Sequence, residues 1–378
     1  MKIAILGTRG IPNNYGGPET NAEMMSPVFL RMGHEVTVYN PDEHPYHESE
    51  WHGIKICHIT NRESVLGIWG TLLYDFLCLK DALESDFDVI LELGYVPCGF
   101  FYPLFFRGQR PHRPKLITNM DGLEWKRSKW SRLLQRFAEL TERLGAQYSD
   151  AMISDNEAIR DYLLDKYGKD SYFIPYGAAP MDALDNSTLA YYGVEPGGYL
   201  MLIARLEPEN NIETILDGYV QSKGEIPFLV VGKTNTKHGK YLLRKYSTKD
   251  SIRFLGGIYD YAVLSALRGQ AYIYFHGHSV GGTNPSLVEA MSSRALIAAH
   301  DNPFNRSVLE NRALYFFTPE DVVALIQADH EAIRSGYQAG NREKVDRLYN
   351  WEHIAAEHIR AFEEIIKGQP DYRVPPSA

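Results

Sequence analysis

The chain has few cysteines, no excess of positive charge and no apolar run long enough to span a bilayer. Its three cysteines lack CxxC spacing, which argues against a cysteine-based zinc site or a disulfide framework and fits a reducing cytosol. The net charge of −9 argues against a general nucleic-acid binder. The apolar run 65–79 is interrupted by Asp75 and is too short for a membrane helix. Residues 2–6 lead into a glycine loop instead of a cleavage site, so no signal peptide is expected.

Short β-rich runs alternate with longer helical patterns along the 378 residues. Alternation of this kind predicts βαβ units and parallel sheets, and a chain of this length normally forms two domains. The pattern occurs twice, with a break near 180–187, so we expect an α/β protein of two Rossmann-like domains, 1–182 and 183–350. The remainder, 351–378, is expected to be a helix that packs back on the first domain and a loose tail. The predicted strands are 2–6, 35–39, 54–59, 88–92, 115–119, 150–154, 199–204, 227–231, 252–255, 271–275 and 295–299.

The most informative stretch is HGHSVGGTNPSLVEAM, residues 276–291, which lies between an apolar strand and a helix start. A strand, a glycine loop and a helix N-terminus together favour an anion, because unpaired N–H groups and the helix dipole converge there. Thr283 or Asn284 is the expected N-cap. Glu289, in the first turns of the helix, could reach a sugar or ribose hydroxyl. The alternative is an ordinary connection whose glycines serve only the turn.

Two cations are expected at the same edge of the second sheet. Arg205 leaves the first strand of the second domain, and Lys233 follows Gly232 at the end of the next strand. A guanidinium opposite a helix N-terminus suits a diphosphate, because its planar fork makes bidentate contacts. The alternative for Arg205 is a structural salt bridge to Glu207 or Glu209.

The first domain offers two further polar loops at strand ends. The long loop after the first strand carries four glycines, including Gly16 and Gly17, with Arg9 and Glu19. Its spacing is not that of a dinucleotide fingerprint, but such a loop lines the crevice where these sheets bind ligands. Asp121 and Glu124 follow the fifth strand and are candidate cleft residues. A mobile surface loop is the alternative for the glycine segment.

Basic residues concentrate in the first domain of this acidic chain, between residues 107 and 143. A solvated helix face is the ordinary explanation for such a run. The alternative is attraction to an anionic membrane surface or a lipid diphosphate, helped by the apolar runs 65–79 and 95–106.

Five segments carry a resemblance that covers nearly the whole chain; they are GTRGIPNNYGGPET, DGLEWKR, ISDN, ARLEPENNIE and HGHSVGGTNPSLVEAM. They resemble segments of the retaining glycosyltransferases with two facing Rossmann domains, the GT-B architecture of glycosyltransferase family 4. More narrowly, they look like segments of bacterial rhamnosyltransferases that build capsules and polysaccharide antigens.

The resemblance implies transfer of a sugar, with retention, from a nucleoside diphosphate across an inter-domain cleft to a lipid-linked or oligosaccharide acceptor. No metal, cofactor or nucleic acid is expected, and the protein is expected in the cytoplasm, possibly at the inner face of the plasma membrane. The expected catalytic residues are Arg205, Glu289 and Asp121, and the acceptor residues are Asp121 and Glu124. The expected donor residues are Gly16, Gly17, Arg205, Gly232, Lys233, His278, Gly282, Thr283, Asn284, Ser286 and Glu289.

Two departures from the family pattern bear on the donor. The first of two paired glutamates is replaced by Gly281, and a lysine six residues after Arg205 is replaced by Asn211. His278 or backbone N–H groups could take over the contacts of the missing carboxylate. Loss of that carboxylate suits a deoxysugar with one hydroxyl fewer, and together with the resemblance to rhamnosyltransferases it makes dTDP-L-rhamnose the expected donor. The methyl group of that sugar prefers an apolar wall, for which Tyr274, Val280 or Leu287 is the candidate. A sugar-nucleotide epimerase or a non-catalytic nucleotide-sugar binding protein of the same fold is the alternative.

Overall fold

Two compact units make up the chain. The computed structural model describes residues 1–14, 16–108, 113–120, 122–127, 130–179 and 186–373. The first unit comprises Met1–Lys126, Trp130–Tyr176 and Trp351–Ala378, and the second comprises Arg127–Lys129 and Gly177–Asn350. The predicted boundary between residues 182 and 183 lies outside the described residues.

The first unit is built on an eight-stranded sheet. Its strands are β1 (Lys2–Leu6), β2 (Glu35–Pro41), β3 (Glu50–Trp51), β4 (Ile54–Ile59), β5 (Val89–Glu92), β6 (Lys115–Asn119), β7 (Ala151–Ser154) and β8 (Tyr172–Phe173). Their order is β3-β4-β2-β1-β5-β6-β7-β8, and every pairing is parallel except β3 with β4. The central strands are mostly apolar and almost fully buried, as expected for parallel sheets whose two faces are covered by helices.

Eight helices belong to this unit. They are α1 (Gly17–Arg31), α2 (Glu63–Leu66), α3 (Ile68–Glu84), α4 (Tyr95–Cys98), α5 (Tyr102–Phe106), α6 (Arg132–Tyr148), α7 (Glu157–Tyr167) and α16 (Trp351–Ile366), with 3₁₀ turns at Gly99–Phe101 and Glu124–Lys126. The last helix, α16, packs against α1, where the ring of Phe29 lies 6.1 Å from that of Phe362 and 6.0 Å from that of His358. The C-terminal helix therefore completes the core of the first unit.

The second unit carries a six-stranded parallel sheet. Its strands are β9 (Leu200–Ile203), β10 (Phe228–Val231), β11 (Ile252–Gly256), β12 (Ile273–His276), β13 (Ile297–His300) and β14 (Leu314–Phe316), in the order β11-β10-β9-β12-β13-β14. The helices are α8 (Asn186–Tyr191), α9 (Ile212–Gln221), α10 (Lys237–Lys245), α11 (Tyr261–Gly269), α12 (Pro285–Ser292), α13 (Pro303–Leu309), α14 (Pro319–Gln327) and α15 (Glu331–Leu348). Two apolar cores, one on each face of the sheet, hold these layers together.

All the predicted strands are present, so the α/β fold with parallel sheets is confirmed, and most strand ends fall within two residues of the prediction. Sequence reasoning missed β3, β8 and β14. Those strands contain two or three residues, which is too short for a periodic pattern. In the described part of the chain, no helix is both long and apolar enough to cross a membrane.

Candidate functional site

The order in which successive strands join the second sheet reverses at β9 and β12. Strands β10 and β11 lie on one side of β9, and β12, β13 and β14 lie on the other. Helices on opposite faces leave a crevice at the carboxyl ends of two such strands, and this is where doubly wound sheets bind ligands. The loop after β9 carries Arg205, and the loop after β12 carries His278 and the glycines 281 and 282. The topology therefore brings together two segments that lie more than seventy residues apart in the chain.

Hydrogen bonds tie these two loops to each other. The amide and the hydroxyl of Ser279 both donate to the carbonyl of Glu209, at 3.1 and 2.8 Å. Asn211 Nδ2 donates to the carbonyl of Gly277 at 2.8 Å. A Cβ atom at Gly277 would lie 2.1 Å from the carbonyl oxygen of Asn210. Glycine is therefore required at position 277 by the close approach of the loops.

Arg205 is exposed and forms no ion pair with any residue that the structure describes. The alternative of a structural salt bridge to Glu207 or Glu209 is therefore wrong. The backbone is fixed even though the guanidinium is unpaired, because the carbonyl of Arg205 accepts a bond from Asn210 Nδ2 at 2.7 Å. An unpaired cation on a rigid loop is suited to an anionic ligand.

His278 lies stacked on His276, with ring centroids 4.4 Å apart and planes 18° from parallel. Burial, together with the positive charge of Arg205, lowers the pKa of His278 to about 3. Its Nδ1 has no hydrogen-bond partner among the described residues. His278 is therefore neutral at physiological pH and can contribute a hydrogen bond to a ligand but not a charge.

The N-terminus of α12 is capped by Asn284, which decides between the two predicted caps. Asn284 Oδ1 accepts bonds from the amide of Ser286 at 3.0 Å and from its hydroxyl at 2.7 Å. Two of the four residues 283–286 offer no backbone donor to a ligand, since Pro285 has no N–H and the Ser286 amide donates to Asn284. The amides of Gly281, Gly282 and Asn284 make no bond within the described chain, and Thr283 is buried.

Glu289 is not an isolated carboxylate. Its Oε2 lies 2.6 Å from Nη2 of Arg268, a residue on α11 that is only 1% exposed, while the Glu289 side chain remains 21% exposed. Burial disfavours the charged guanidinium, but Glu289 and the oxygens of Tyr274 and Tyr261 outweigh it and raise the pKa of Arg268. Sequence reasoning missed Arg268, because an arginine in the last turn of a helix ordinarily interacts with the helix dipole at the surface.

Gly232 and Lys233 follow β10, the neighbour of β9. A Cβ at Gly232 would lie 2.1 Å from the carbonyl oxygen of Ala204, so the glycine allows the two strand ends to meet. Lys233 is exposed, and its Nζ lies 5.2 Å from the ring centroid of Tyr259. The lysine is thus placed at the same edge of the sheet as Arg205, one strand further out.

Family models match each part of the chain separately. Residues 194–346 match the family described as glycosyl transferases group 1, and residues 1–179 match a domain of unknown function, DUF1972. The sequence matches no curated protein.

Solved structures align over almost the full length. Sucrose-phosphate synthase from Thermosynechococcus elongatus is 16% identical with a TM-score of 0.79, over 97% of this chain and 100% of that one. HepE from Anabaena, in complex with UDP-glucose, is 14% identical with a TM-score of 0.73, over 96% and 100%. WaaG, a glycosyltransferase involved in lipopolysaccharide biosynthesis, is 14% identical with a TM-score of 0.70, over 95% and 99%. This chain has the GT-B fold and carries a glycosyltransferase domain.

The two departures from the family pattern have different structural consequences in the glycosyltransferase domain. Gly281 has a φ of +119°, and a Cβ there would meet nothing within 4 Å. The space next to position 281 is therefore open in this chain, whereas the family has a glutamate side chain at that position. Asn211 has a φ of +50° and is the N-cap residue before α9, and its side chain donates to the carbonyl of Gly277. Position 211 thus serves loop geometry in this chain.

The apolar wall expected for a sugar methyl group is smaller than the sequence suggests. Tyr274 and Leu287 are 0% and 1% exposed and belong to the core of the glycosyltransferase domain. They are therefore wrong as candidates for such a wall. Val280, which is partly exposed, remains available.

The long glycine loop of the first unit is held by ion pairs and bonds of its own. Arg9 makes a bidentate pair with Glu63 at 2.7 and 3.0 Å, and its amide donates to Oε1 of Glu19 at 2.7 Å. Gly16 is the N-cap of α1 and Gly17 is its first residue. Glu19 thus accepts a hydrogen bond within the loop, while the donor contacts of Gly16 and Gly17 stay predictions.

Of the two predicted acceptor residues, the structure describes only Glu124. Asp121 lies outside the described residues. Glu124 begins a 3₁₀ turn and has an interaction partner. The adjacent Trp125 packs against its own unit as expected, since its Nε1 donates to Oε2 of Glu142 at 3.1 Å.

A buried acidic pair in the first unit was missed by sequence reasoning. Glu92 ends β5 with no exposed surface, and burial raises its pKa to about 8 against the opposing effect of the Cys98 thiol and the Gly94 amide. Burial, and then the charge of Glu92, raises the pKa of Asp75 well above its usual range. A glutamate that ends the apolar run Val-Ile-Leu was the available signal.

Two remaining observations concern other kinds of site. A cavity of about 730 Å³ in the second unit is lined by Arg294 and residues of α15, and none of the predicted site residues lines it. Within the described ranges, no group of three or more His, Cys, Asp or Glu side chains could hold a metal ion.

Proposed function

We propose that the chain transfers a sugar from a nucleoside-diphosphate donor to a hydroxyl of a lipid-linked or oligosaccharide acceptor in surface polysaccharide synthesis. The observation that carries the proposal is the unpaired Arg205 beside neutral His278 and the glycine loop that leads into α12. The glycosyltransferase domain match includes all of these residues. The complex of the similarly folded HepE with UDP-glucose supports a nucleotide sugar as the donor.

In this proposal the diphosphate lies between Arg205 and the amides of Gly281, Gly282 and Asn284. As the bond from the sugar carbon to the phosphate oxygen breaks, negative charge grows on the diphosphate, and these donors stabilise it. Lys233 adds a second positive charge at the same edge. His278 carries no charge, so its part is a hydrogen bond to a sugar hydroxyl.

We propose that transfer proceeds with retention by attack from the face that the diphosphate leaves. The acceptor oxygen bonds to the sugar carbon, and its proton passes to the departing phosphate oxygen, which also offsets the oxocarbenium-like charge. Asp121 is our candidate for orienting the acceptor hydroxyl. Glu289 is proposed to hold a ribose or sugar hydroxyl.

The proposed donor is dTDP-L-rhamnose. The supporting observation is that no side chain projects from Gly281 into the open space around it. A hydroxyl left without its carboxylate partner costs free energy, so a 6-deoxysugar loses less there than an ordinary hexose. Val280 supplies partly exposed apolar surface for the methyl group.

The experiment offers dTDP-L-rhamnose and UDP-glucose in competition, and the products are identified by mass spectrometry. We expect a new glycosidic bond made mainly from dTDP-L-rhamnose. A large preference for UDP-glucose would contradict the proposed deoxysugar donor, but it would not contradict the proposed sugar transfer. Interconversion of the donor without a glycosidic bond would instead favour an epimerase, and binding without turnover would favour a binding protein.

A lipid-linked acceptor places the protein at a membrane, so we also propose peripheral contact at the cytoplasmic face of the plasma membrane. Its support is the set of exposed, unpaired cations in the first unit. Three residues of the predicted basic set are excluded from it. Arg113 and Lys115 both pair with Asp150, at 2.6 and 3.7 Å, and Arg127 is partly buried and has an interaction partner. Arg110 and Lys129 lie outside the described residues.

A further inference from the structure

The first unit exposes large apolar side chains on three neighbouring segments. Trp69 and Leu73 lie on α3, Phe100 and Leu104 lie on the 3₁₀ turn and α5, and Leu133 lies on α6. Their exposed fractions are 71%, 40%, 47%, 62% and 76%. We call these five residues the apolar stripe. The apolar run 65–79 is therefore buried on only one face.

Ring contacts show that α3 packs on the 3₁₀ turn and α5, and that the 3₁₀ turn packs on α6. Phe76 of α3 packs against Phe101 and Phe105, with ring centroids 5.3 and 5.5 Å away. Phe100 packs against Phe137 of α6 at 5.8 Å. Leu73 is one turn before Phe76, and Leu133 is one turn before Phe137, so each continues the packed face outward.

The three segments that carry the stripe contain no acidic residue. They are 64–74, 99–107 and 130–138, in a chain whose net charge is −9. Three exposed cations border the stripe along the chain, and none of them forms an ion pair within the described residues; they are Arg107, Arg132 and Arg136.

We propose that the apolar stripe is the surface on which the protein rests on an anionic lipid bilayer. Trp69 and the leucines would enter the interface, where amphipathic aromatic rings are favoured, and the bordering cations would face lipid phosphates. A second copy of the chain fits less well, because a self-pairing patch would set these cations against one another. The proposal deepens the membrane contact stated above by naming its surface.

The test measures co-sedimentation of the full chain with vesicles of pure phosphatidylcholine or of phosphatidylcholine mixed with phosphatidylglycerol. Trp69→Ser with Leu133→Ser removes apolar surface, and Arg132→Gln with Arg136→Gln removes charge. We expect each pair to weaken binding to the anionic vesicles at least about tenfold, because interfacial binding combines apolar and electrostatic attraction. Added salt should weaken it further, because surface charges are screened beyond about 10 Å.

Matched controls lie in the second unit. Phe317→Ser removes an apolar side chain that is 65% exposed, and Arg244→Gln with Lys240→Gln removes two exposed cations. Controls that lose as much binding, equal binding to both vesicle types, or no binding to either would overturn the proposal. A dimer in solution that the Trp69→Ser, Leu133→Ser pair dissociates would assign the stripe to a second copy.

Neither donor nor acceptor is present in this assay. A protein that binds vesicles but transfers no sugar would contradict the proposed function, while the proposal that the apolar stripe binds the bilayer would still hold.

Discussion

Replacing Glu289 by glutamine removes the negative charge that faces the buried guanidinium of Arg268. The pair is 2.6 Å apart, and Arg268 has almost no contact with solvent. Two of its nitrogens, Nε and Nη1, have no other hydrogen-bond partner in the described structure. The substitution therefore leaves the buried positive charge of Arg268 without a negative partner.

Breaking a buried ion pair from one side costs about 3–5 kcal/mol. The Glu289 side chain is 21% exposed, so water can reach the site and the lower end, about 3 kcal/mol, applies. For a domain of this size, that loss lowers Tm by about 6–12 °C. A melting shift is thus expected whether or not Glu289 also binds the donor.

A double variant separates the two roles. Arg268→Met combined with Glu289→Gln replaces the pair by groups that need no counter-charge, and such exchanges are often neutral for stability. We expect the double variant to regain most of the lost Tm. It should not regain donor affinity, because the carboxylate proposed to hold a donor hydroxyl is still absent.

The assay is thermal melting combined with calorimetric titration of dTDP and UDP. Glu310→Gln is the matched control, because it removes the acidic partner of Lys344, another mostly buried cation, at a different place in the same unit. It should lower Tm and leave nucleotide binding unchanged. The ion-pair reasoning would be refuted if Glu289→Gln had the same Tm as the wild type. It would also be refuted if the double variant were no more stable than the single one. Unchanged nucleotide affinity in Glu289→Gln would refute a contact of Glu289 with the ribose.

Two further predictions concern the other charged groups. Arg205→Ala should slow transfer by about 30- to 1000-fold, because it removes roughly 2–4 kcal/mol of stabilisation from the departing diphosphate. Steady-state kinetics check this, with exposed Arg244→Ala as control, and near-normal turnover would remove Arg205 from the phosphate site. Glu92→Gln should stabilise the protein above pH 8 by up to about 5 kcal/mol and give no gain near pH 4. The pKa of Glu92 is raised to about 8 by burial, so the native state loses stability as pH rises through that value. Denaturant unfolding across this range checks it, and a gain independent of pH would contradict the cause.

The sequence by itself determined the fold of this protein. Alternating apolar runs and helical patterns located the strands, because a parallel strand buried on both faces must be apolar along its whole length. The strand–glycine loop–helix pattern at 276–291 and the cation at position 205 were likewise visible, because each is a local feature read from adjacent residues.

Only the tertiary structure decided which partners those residues have. Arg205 stands beside His278 because β9 and β12 are neighbours in the sheet, a pairing of distant segments that local patterns do not encode. Arg268 meets Glu289 because α11 packs against α12. The capping bond of Asn284 that occupies the Ser286 amide depends on a side-chain orientation.

The same distinction explains the apolar stripe. Periodicity marks α3 as an apolar helix but does not say how much of its surface the neighbouring segments cover. Here the 3₁₀ turn Gly99–Phe101 and α5 cover the face at Phe76, while Trp69 and Leu73 stay exposed to solvent. Local sequence fixes which groups are present, whereas burial and charge pairing depend on which segments the fold places beside them.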